Sequence, residues 1–493
     1  MGLAEAPAER TRSGGAAPAP RPRWGRLAIC VGWGLAVALS PAPADLPRAG
    51  WHVFAVFSSV ILAFLLRPID MAPAVLIGLV TIAASGSVEL ASTIAQGFGD
   101  TTVWLVVAAF LIADAVEGTG LGRRVALLLL RALGRTIVGI AYAIAAAELV
   151  LAPFIPSNTA RGGGIMSPIV RALSETIGSS PGSTARLGGA YLAQVGSHAN
   201  LVTSAMFLTA MAGNTQIPPA ARDTLGVDFE FATWLKGSCV PALLSLAIVP
   251  VALWVLERPA ATDLRAARGK VAADLAALGK WTRDEIVLAS LLVTVLILWS
   301  AATPLRGWLG LDLKPTTVAL FGVSAIVILG VRSWRDLAGA WHAWDALIWL
   351  GGFVSIAESL KATGFTPWFA GKIEATLGSS GPIEATILLA LVYFASMFLF
   401  SQLTAHVAAL AAAFFTVAAR VDAPPRLAVA LIAYFSCLCG APTPWSSGPV
   451  IIYFHQGYVS VGRWMRNGLV IAILHIAVWL TVGMAWWKLL GWW

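Results

Sequence analysis

The chain has 493 residues, 58% of them hydrophobic and only 12% charged, with a mean hydropathy of +0.80. A net charge of +8 would suit a nucleic acid, but Lys and Arg fall in loops between apolar runs rather than along one amphipathic face, which excludes that partner. What remains is a polytopic protein of the lipid bilayer, because the apolar runs repeatedly approach the ~20 residues that span one.

Residues 1–24, rich in Ala, Pro, Gly and Arg, read as a disordered cytoplasmic tail. The apolar stretch from Leu27 to Ser40 has the length of a signal h-region, but no small-x-small cleavage site stands out after it and another span begins near Gly50, so it is read as retained. Spans are expected at residues 25–42, 50–66, 71–88, 101–118, 187–212, 232–256, 284–303, 315–331, 343–362, 427–456 and 467–490, eleven in all. Two further apolar stretches, 136–172 and 384–418, each contain a polar break, and the arm after each break is too short or too polar to cross alone. They read as re-entrant hairpins. The expected fold is an all-α integral membrane protein with a first half at 25–256, a cytoplasmic linker at 257–283 and a second half at 284–493.

Charge supports re-entry. With both hairpins re-entrant, 22 of the 33 Lys and Arg lie on the side of the N-terminus, 10 lie opposite, and Arg161 sits within the membrane. If the first hairpin crossed, the asymmetry would shrink. The positive-inside rule then places the N-terminus in the cytoplasm and the C-terminus outside, in a cell's inner membrane. Cys30, Cys239, Cys437 and Cys439 lack the paired spacing of a metal site or a disulfide framework, so no metal and no cofactor is expected.

An internal repeat runs through the chain. WLVVAAFLIADAVEGTGL from Trp104 returns as WLGGFVSIAESLKATGF from Trp349, and PSNTARGGG returns as FSQLTAHVA, at an offset of about 244 residues. An odd number of crossings per repeat inverts the halves, the layout of secondary transporters with a midplane site between broken helices. The breaks are expected at Gly196, Ser197, His198 and Asn200 in the first half, and at Gly440, Pro442, Thr443, Pro444 and Pro449 in the second.

The polar stretch at Ser157, Asn158, Thr159 and Arg161 follows an apolar run and Pro156. An Arg at bilayer depth costs about 2.5–3.5 kcal/mol on insertion scales, so it marks a site more often than a cap. Freed helix N-termini at hairpin tips favour anions by about 0.3–2 kcal/mol each. Stripping a dicarboxylate of water costs several times more, so a cation must help. Either sodium binds near Ser157, Asn158 and Gly196, or the protein supplies Arg161, His198 and His406 as its own compensating charges. Arg161 can instead pair with Glu148 and merely pack the hairpin.

PSNTARGGG, TSAMFLTAMAGN (203–214), LTAHVAAL and the SSGP…YF..GY pattern (446–458) resemble the divalent anion:sodium symporter superfamily, nearest its bacterial citrate/succinate exchangers and plastid 2-oxoglutarate/malate translocators. The likeness covers roughly residues 30–490. It implies a homodimer, an elevator movement, and two hairpin tips that grip the carboxylates of a di- or tricarboxylate anion. The first tip carries the family's Ser-Asn-Thr as Ser157, Asn158 and Thr159. The second departs, reading Gln402, Leu403, Thr404 or starting at Ser401. The expected function is sodium-independent anion exchange, with sodium-coupled symport as the alternative. An integral membrane enzyme is the remote alternative, since no HExxH, P-loop or GxSxG is present.

Overall fold

The computed structural model describes residues 22–301, 305, 314–366, 368, 381–400 and 402–493. Residues 1–21 of the expected tail, the end of the span at 284–303, and Ser401 lie outside them. The described residues form helices and turns and contain no strand.

In chain order the first half comprises α1 Trp24–Leu39, α2 Arg48–Leu66, α3 Met71–Ala84, α4 Leu90–Phe98, α5 Thr101–Thr119, α6 Leu121–Leu133 and α7 Ile137–Leu151. A π-helical turn, Thr159–Met166, runs into α8 Ser167–Thr176, followed by α9 Gly189–Met206, α10 Ile217–Leu225 and α11 Phe231–Glu257. Helix α12, Arg265–Ala277, lies in the linker. The second half comprises α13 Arg283–Ser300, α14 Pro315–Ile328, α15 Trp334–Ala338, α16 Trp341–Ala362, α17 Pro382–Ser396 and α18 Leu403–Arg420. It ends with α19 Pro425–Leu438, α20 Gly448–His455, α21 Val461–Val478 and, after a π-turn, α22 Met484–Leu489.

Local chemistry sets the boundaries. Asp100 caps α5 by accepting from the backbone N–H groups of Thr102 and Val103, at 2.7 and 3.2 Å. Thr282 and Glu285 form a reciprocal capping box at the start of α13. The repeated Thr-Gly ends α5 and α16 alike, with Gly120 at φ 78° and Gly364 at φ 84°, a left-handed stop that glycine adopts without strain.

The order of elements repeats as well. In each half a 14-residue apolar helix (α3, α14) precedes a short helix (α4, α15) and a long helix ending on Thr-Gly. Then come a 15-residue hairpin arm (α7, α17), a tip and second arm, a buried helix (α9, α19), a break, a short helix (α10, α20) and a long final segment. Two packing groups result: α2, α3, α4, α5, α14 and α16 pack on one another, and α7, α9, α11 and α19 do the same. Helix α9 is buried along its whole length.

Seven segments among the described residues are long and apolar enough to cross a membrane, and five shorter apolar helices of 10–17 residues accompany them. Three sequence expectations change. The first expected break is not a break: α9 runs unbroken through Gly196, Ser197, His198 and Asn200, and the chain leaves the helix at Phe207 (φ −121°, ψ 133°) before 3-10 turns at 208–210 and 212–216. A polar side chain need not open a helix: Asn200 donates to Glu148 and to the Asn158 carbonyl from within α9, and Gly196 serves close packing, since a Cβ there would lie 2.4 Å from the Tyr453 hydroxyl. The second hairpin is not short: 382–399 and 403–420 are each 18 residues with mean hydropathies of 1.9 and 1.5, because Ala and Phe outweigh Thr404 and His406. Finally, loops expected after residues 88, 118, 212 and 256 hold α4, α6, α10 and α12, too short or too polar to register as spans.

Candidate functional site

The first tip is built around Arg161. Its side chain is fully buried, and its donors reach five acceptors. Nε donates to Glu148 Oε2 at 2.7 Å. Nη1 donates to the carbonyls of Ile155 and Ala210 at 2.8 and 3.0 Å, and Nη2 to the hydroxyls of Ser204 and Thr203 at 3.0 and 3.4 Å. Asn200 of α9 donates to the same Glu148 oxygen at 3.0 Å and to the Asn158 carbonyl at 3.2 Å. The charge expected to stand free is therefore neutralised inside the protein. Arg161 is not an unpaired cation, because a guanidinium at this depth is tolerable only with a carboxylate and full hydrogen bonding.

Ahead of that buried pair, Ser157, Asn158 and Thr159 are half-buried. Ser157 Oγ accepts from the Ala160 N–H at 3.1 Å, which caps the turn. Thr159 lies against the start of α20, where a Cβ on Gly448 would fall 2.1 Å from its Oγ1. The second tip faces the breaks. A Cβ on Gly213 would sit 3.1 Å from Thr404 Cα, and one on Gly440 would sit 3.1 Å from Leu201 and 3.2 Å from Leu403. Thus the 439–447 break lies between the tips, with Pro442 and Thr443 buried in it, and the N-termini of α18 and α20 open into this layer. Gln402 and Thr404 are half-buried, like the first tip.

Behind the second tip, His406 occupies the position that Arg161 holds behind the first. Its Nε2 meets Ser396 Oγ at 2.8 Å, and its ring packs on Tyr393 and Phe400 at centroid distances of 4.4 and 5.1 Å. Tyr393 in turn shares a 2.9 Å hydrogen bond with Ser436. Glu148, Arg161 and Asn200 in one half thus correspond to Tyr393, His406 and Ser436 in the other, with the same 13-residue separation between the first two members. Sequence reading weighed Glu148 only as a packing partner. Its signal was a lone carboxylate in an apolar run, one short hairpin arm before Arg161.

His198 does not join the Arg161 cluster's hydrogen bonds; it is buried in α9, and neither ring nitrogen has a hydrogen-bond partner among the described residues. Gly196, Ser197 and Asn200 lie on the helix rather than in a break, whereas Gly440, Pro442 and Thr443 lie in one. No group of three His, Cys, Asp or Glu that could hold a metal converges among the described residues. A cavity of about 370 Å³ beside the second tip is walled by Phe54, Phe57, Phe353 and the alanines of α18, with Asp223, Glu358 and Lys361 among its lining residues.

Known proteins share this plan. The chain is 37% identical over 468 residues to the Bacillus subtilis (strain 168) protein named "Putative malate transporter YflS", covering 95% of this chain and 96% of that one. It is 32% identical to the chloroplastic dicarboxylate transporter 1 of Arabidopsis thaliana, covering 97% and 86%, and 32% identical to the citrate/succinate antiporter of Escherichia coli (strain K12), covering 95% and 98%. Among solved structures, the Alcanivorax borkumensis YdaH transporter superposes with a TM-score of 0.54 over 81% of this chain and 87% of that one at 13% identity, a likeness of fold alone. The family model described as the sodium:sulfate symporter transmembrane region matches residues 21–493, and the chain belongs to that family of multi-pass membrane transporters, the divalent anion:sodium symporters.

Proposed function

We propose that the protein exchanges di- or tricarboxylate anions across the inner membrane without sodium, by an elevator movement of α7–α11 and α17–α22 against α1–α5 and α13–α16. Carboxylate transport follows from the relatives' named substrates and antiport from the citrate/succinate antiporter. The observation that carries sodium independence is the Arg161 guanidinium, which already takes the Ile155 and Ala210 carbonyls, oxygens of the kind a sodium ion needs at a tip. Ser157, Asn158 and Thr159 would hold one carboxylate, and Gln402 and Thr404 with Ser401 the other. The Arg161–Glu148 pair carries no net charge, so it does not itself hold back the empty carrier. Half-buried hydroxyls, amides and helix N–H groups at the empty tips are costly to carry through hydrocarbon, and a bound dianion satisfies them. The halves are read as an inverted repeat in a homodimer, with a cytoplasmic N-terminus and an external C-terminus.

In proteoliposomes, uptake of labelled succinate is expected to be equal in sodium and choline buffers and to fall to background when the lumen holds no dicarboxylate. Sodium symport, the reading that the family description itself favours, requires the reverse: uptake that follows the sodium gradient and ignores internal dicarboxylate. The first of those results would refute sodium independence, and the second would refute exchange.

A further inference from the structure

A second site lies away from the tips, at the base of the first hairpin. Helices α6, α7, α8 and α12 enclose a cavity of about 160 Å³ with apolar walls from Leu130, Ile140, Leu173 and Val271, and with Arg131 and Arg268 among its lining residues. Both arginines are exposed, and neither has an ion-pair partner among the described residues. Asp263, whose carboxylate lies within reach of Arg268's field, is held by Arg265 through Nε and Nη2, the closest bond being 2.7 Å. Lys270 is taken by Asp274. Arg123 and Arg135 are also exposed without an ion-pair partner on this face, so the patch carries a surplus of positive charge around a greasy notch.

Position decides what such a notch holds. It lies on the side where 22 of the 33 Lys and Arg collect, facing the cytoplasmic leaflet by the positive-inside rule. Helix α12 buries Ala267 and Val271, and Leu264 just before it is buried too, while the helix packs on α6 and α8 and leaves its charged side chains outward. The cavity is smaller than the roughly 300–1,000 Å³ of pockets that enclose a small molecule, which suits a headgroup whose acyl chains stay in the bilayer.

We propose that this cleft binds the phosphodiester headgroup of an anionic phospholipid, with Arg131 and Arg268 on the phosphate and the first acyl carbons against Leu130, Ile140, Leu173 and Val271. Bound there, the lipid ties the linker helix α12 to both arms of the first hairpin. The site is independent of the transport reading, since none of its residues lies at a tip.

The test uses the full chain, purified in detergent and titrated with phosphatidylglycerol, phosphatidylcholine or inorganic phosphate while its thermal unfolding midpoint is followed. Phosphatidylglycerol is expected to raise the midpoint, and the other two are not. Each Lys or Arg near an anionic leaflet is worth about fivefold in affinity, so the variant Arg131→Gln/Arg268→Gln should need ~30-fold more phosphatidylglycerol for the same shift. Arg335→Gln, which removes an exposed charge on the same side but outside the cleft, should respond as the wild type does. Native mass spectrometry of the wild type, which needs no variant, should show phosphatidylglycerol adducts outlasting phosphatidylcholine adducts. An undiminished response in the double variant, an equal loss in Arg335→Gln, a matching shift from phosphate alone, or adducts that do not discriminate would each overturn the proposal.

Discussion

Replacing Arg161 by Leu should lower the stability of the protein by about 3–5 kcal/mol, the cost of breaking a buried ion pair by removing one partner. The reason lies in what is left behind. Glu148 is fully buried, and Arg161 and Asn200 both donate to its Oε2. Without the guanidinium the carboxylate keeps Asn200 but loses its counter-charge, and the Ile155 and Ala210 carbonyls lose their donor. Thermal midpoints measured by fluorescence-detected size-exclusion chromatography provide the check. Glu148→Gln should also destabilise, because it strands the cation. The double variant Arg161→Gln/Glu148→Gln should be more stable than the sum of the single changes Arg161→Gln and Glu148→Gln predicts, since two neutral amides leave no orphaned charge. A wild-type midpoint for Arg161→Leu would show that the pair does not hold the tip.

The second large effect is expected at Gly468, in the final long segment behind the 439–447 break. A Cβ there would lie 2.2 Å from the Ala441 carbonyl oxygen and 3.0 Å from Pro442 Cα, both backbone atoms with no rotamer to change. Gly468→Ala must therefore move the break itself, and overpacking of this kind costs about 1–3 kcal/mol. Gly440 and Thr443 lie in the same short loop between the tips, so uptake should fall further than stability does. Parallel measurement of succinate uptake and thermal midpoint separates the two effects. Full activity with an unchanged midpoint would mean that α21 can back away from the break at no cost.

Much of this architecture was legible because a bilayer writes it in hydropathy and repetition. The run ending on Thr-Gly at 119–120 and its return at 363–364 marked equivalent helices, and both glycines take the left-handed conformation. The first break was misplaced for a physical reason. Ser197, His198 and Asn200 look like an interruption in a hydropathy profile, yet Asn200 spends its amide on Glu148 and Asn158 without disturbing the helix. The true break, at Phe207, lies in TSAMFLTAM, where neither a glycine nor a proline announces it. Trp234 and Trp492, which stand near span ends in the sequence, join a buried aromatic cluster with Phe229, Tyr434 and Trp487. Position along a sequence does not reveal which way an indole turns. The amphipathic helix α6 was hidden because its arginines lower the average hydropathy while one face stays apolar.

The correspondence of Glu148 and Arg161 with Tyr393 and His406 has a geometric corollary. A duplicated scaffold with identical tips would present a two-fold surface, and a ligand could be seated either way round with equal energy. Here one end is backed by a saturated ion pair and the other by an aromatic–imidazole stack with a hydroxyl partner. Anything lying between them meets a head and a tail. A diacid with like ends, such as succinate, then keeps two seatings that differ only in which carboxylate goes where, whereas a molecule with unlike ends has one preferred polarity. With cargo seated between the tips as proposed, divergence between the halves turns a symmetric cradle into a reader of direction.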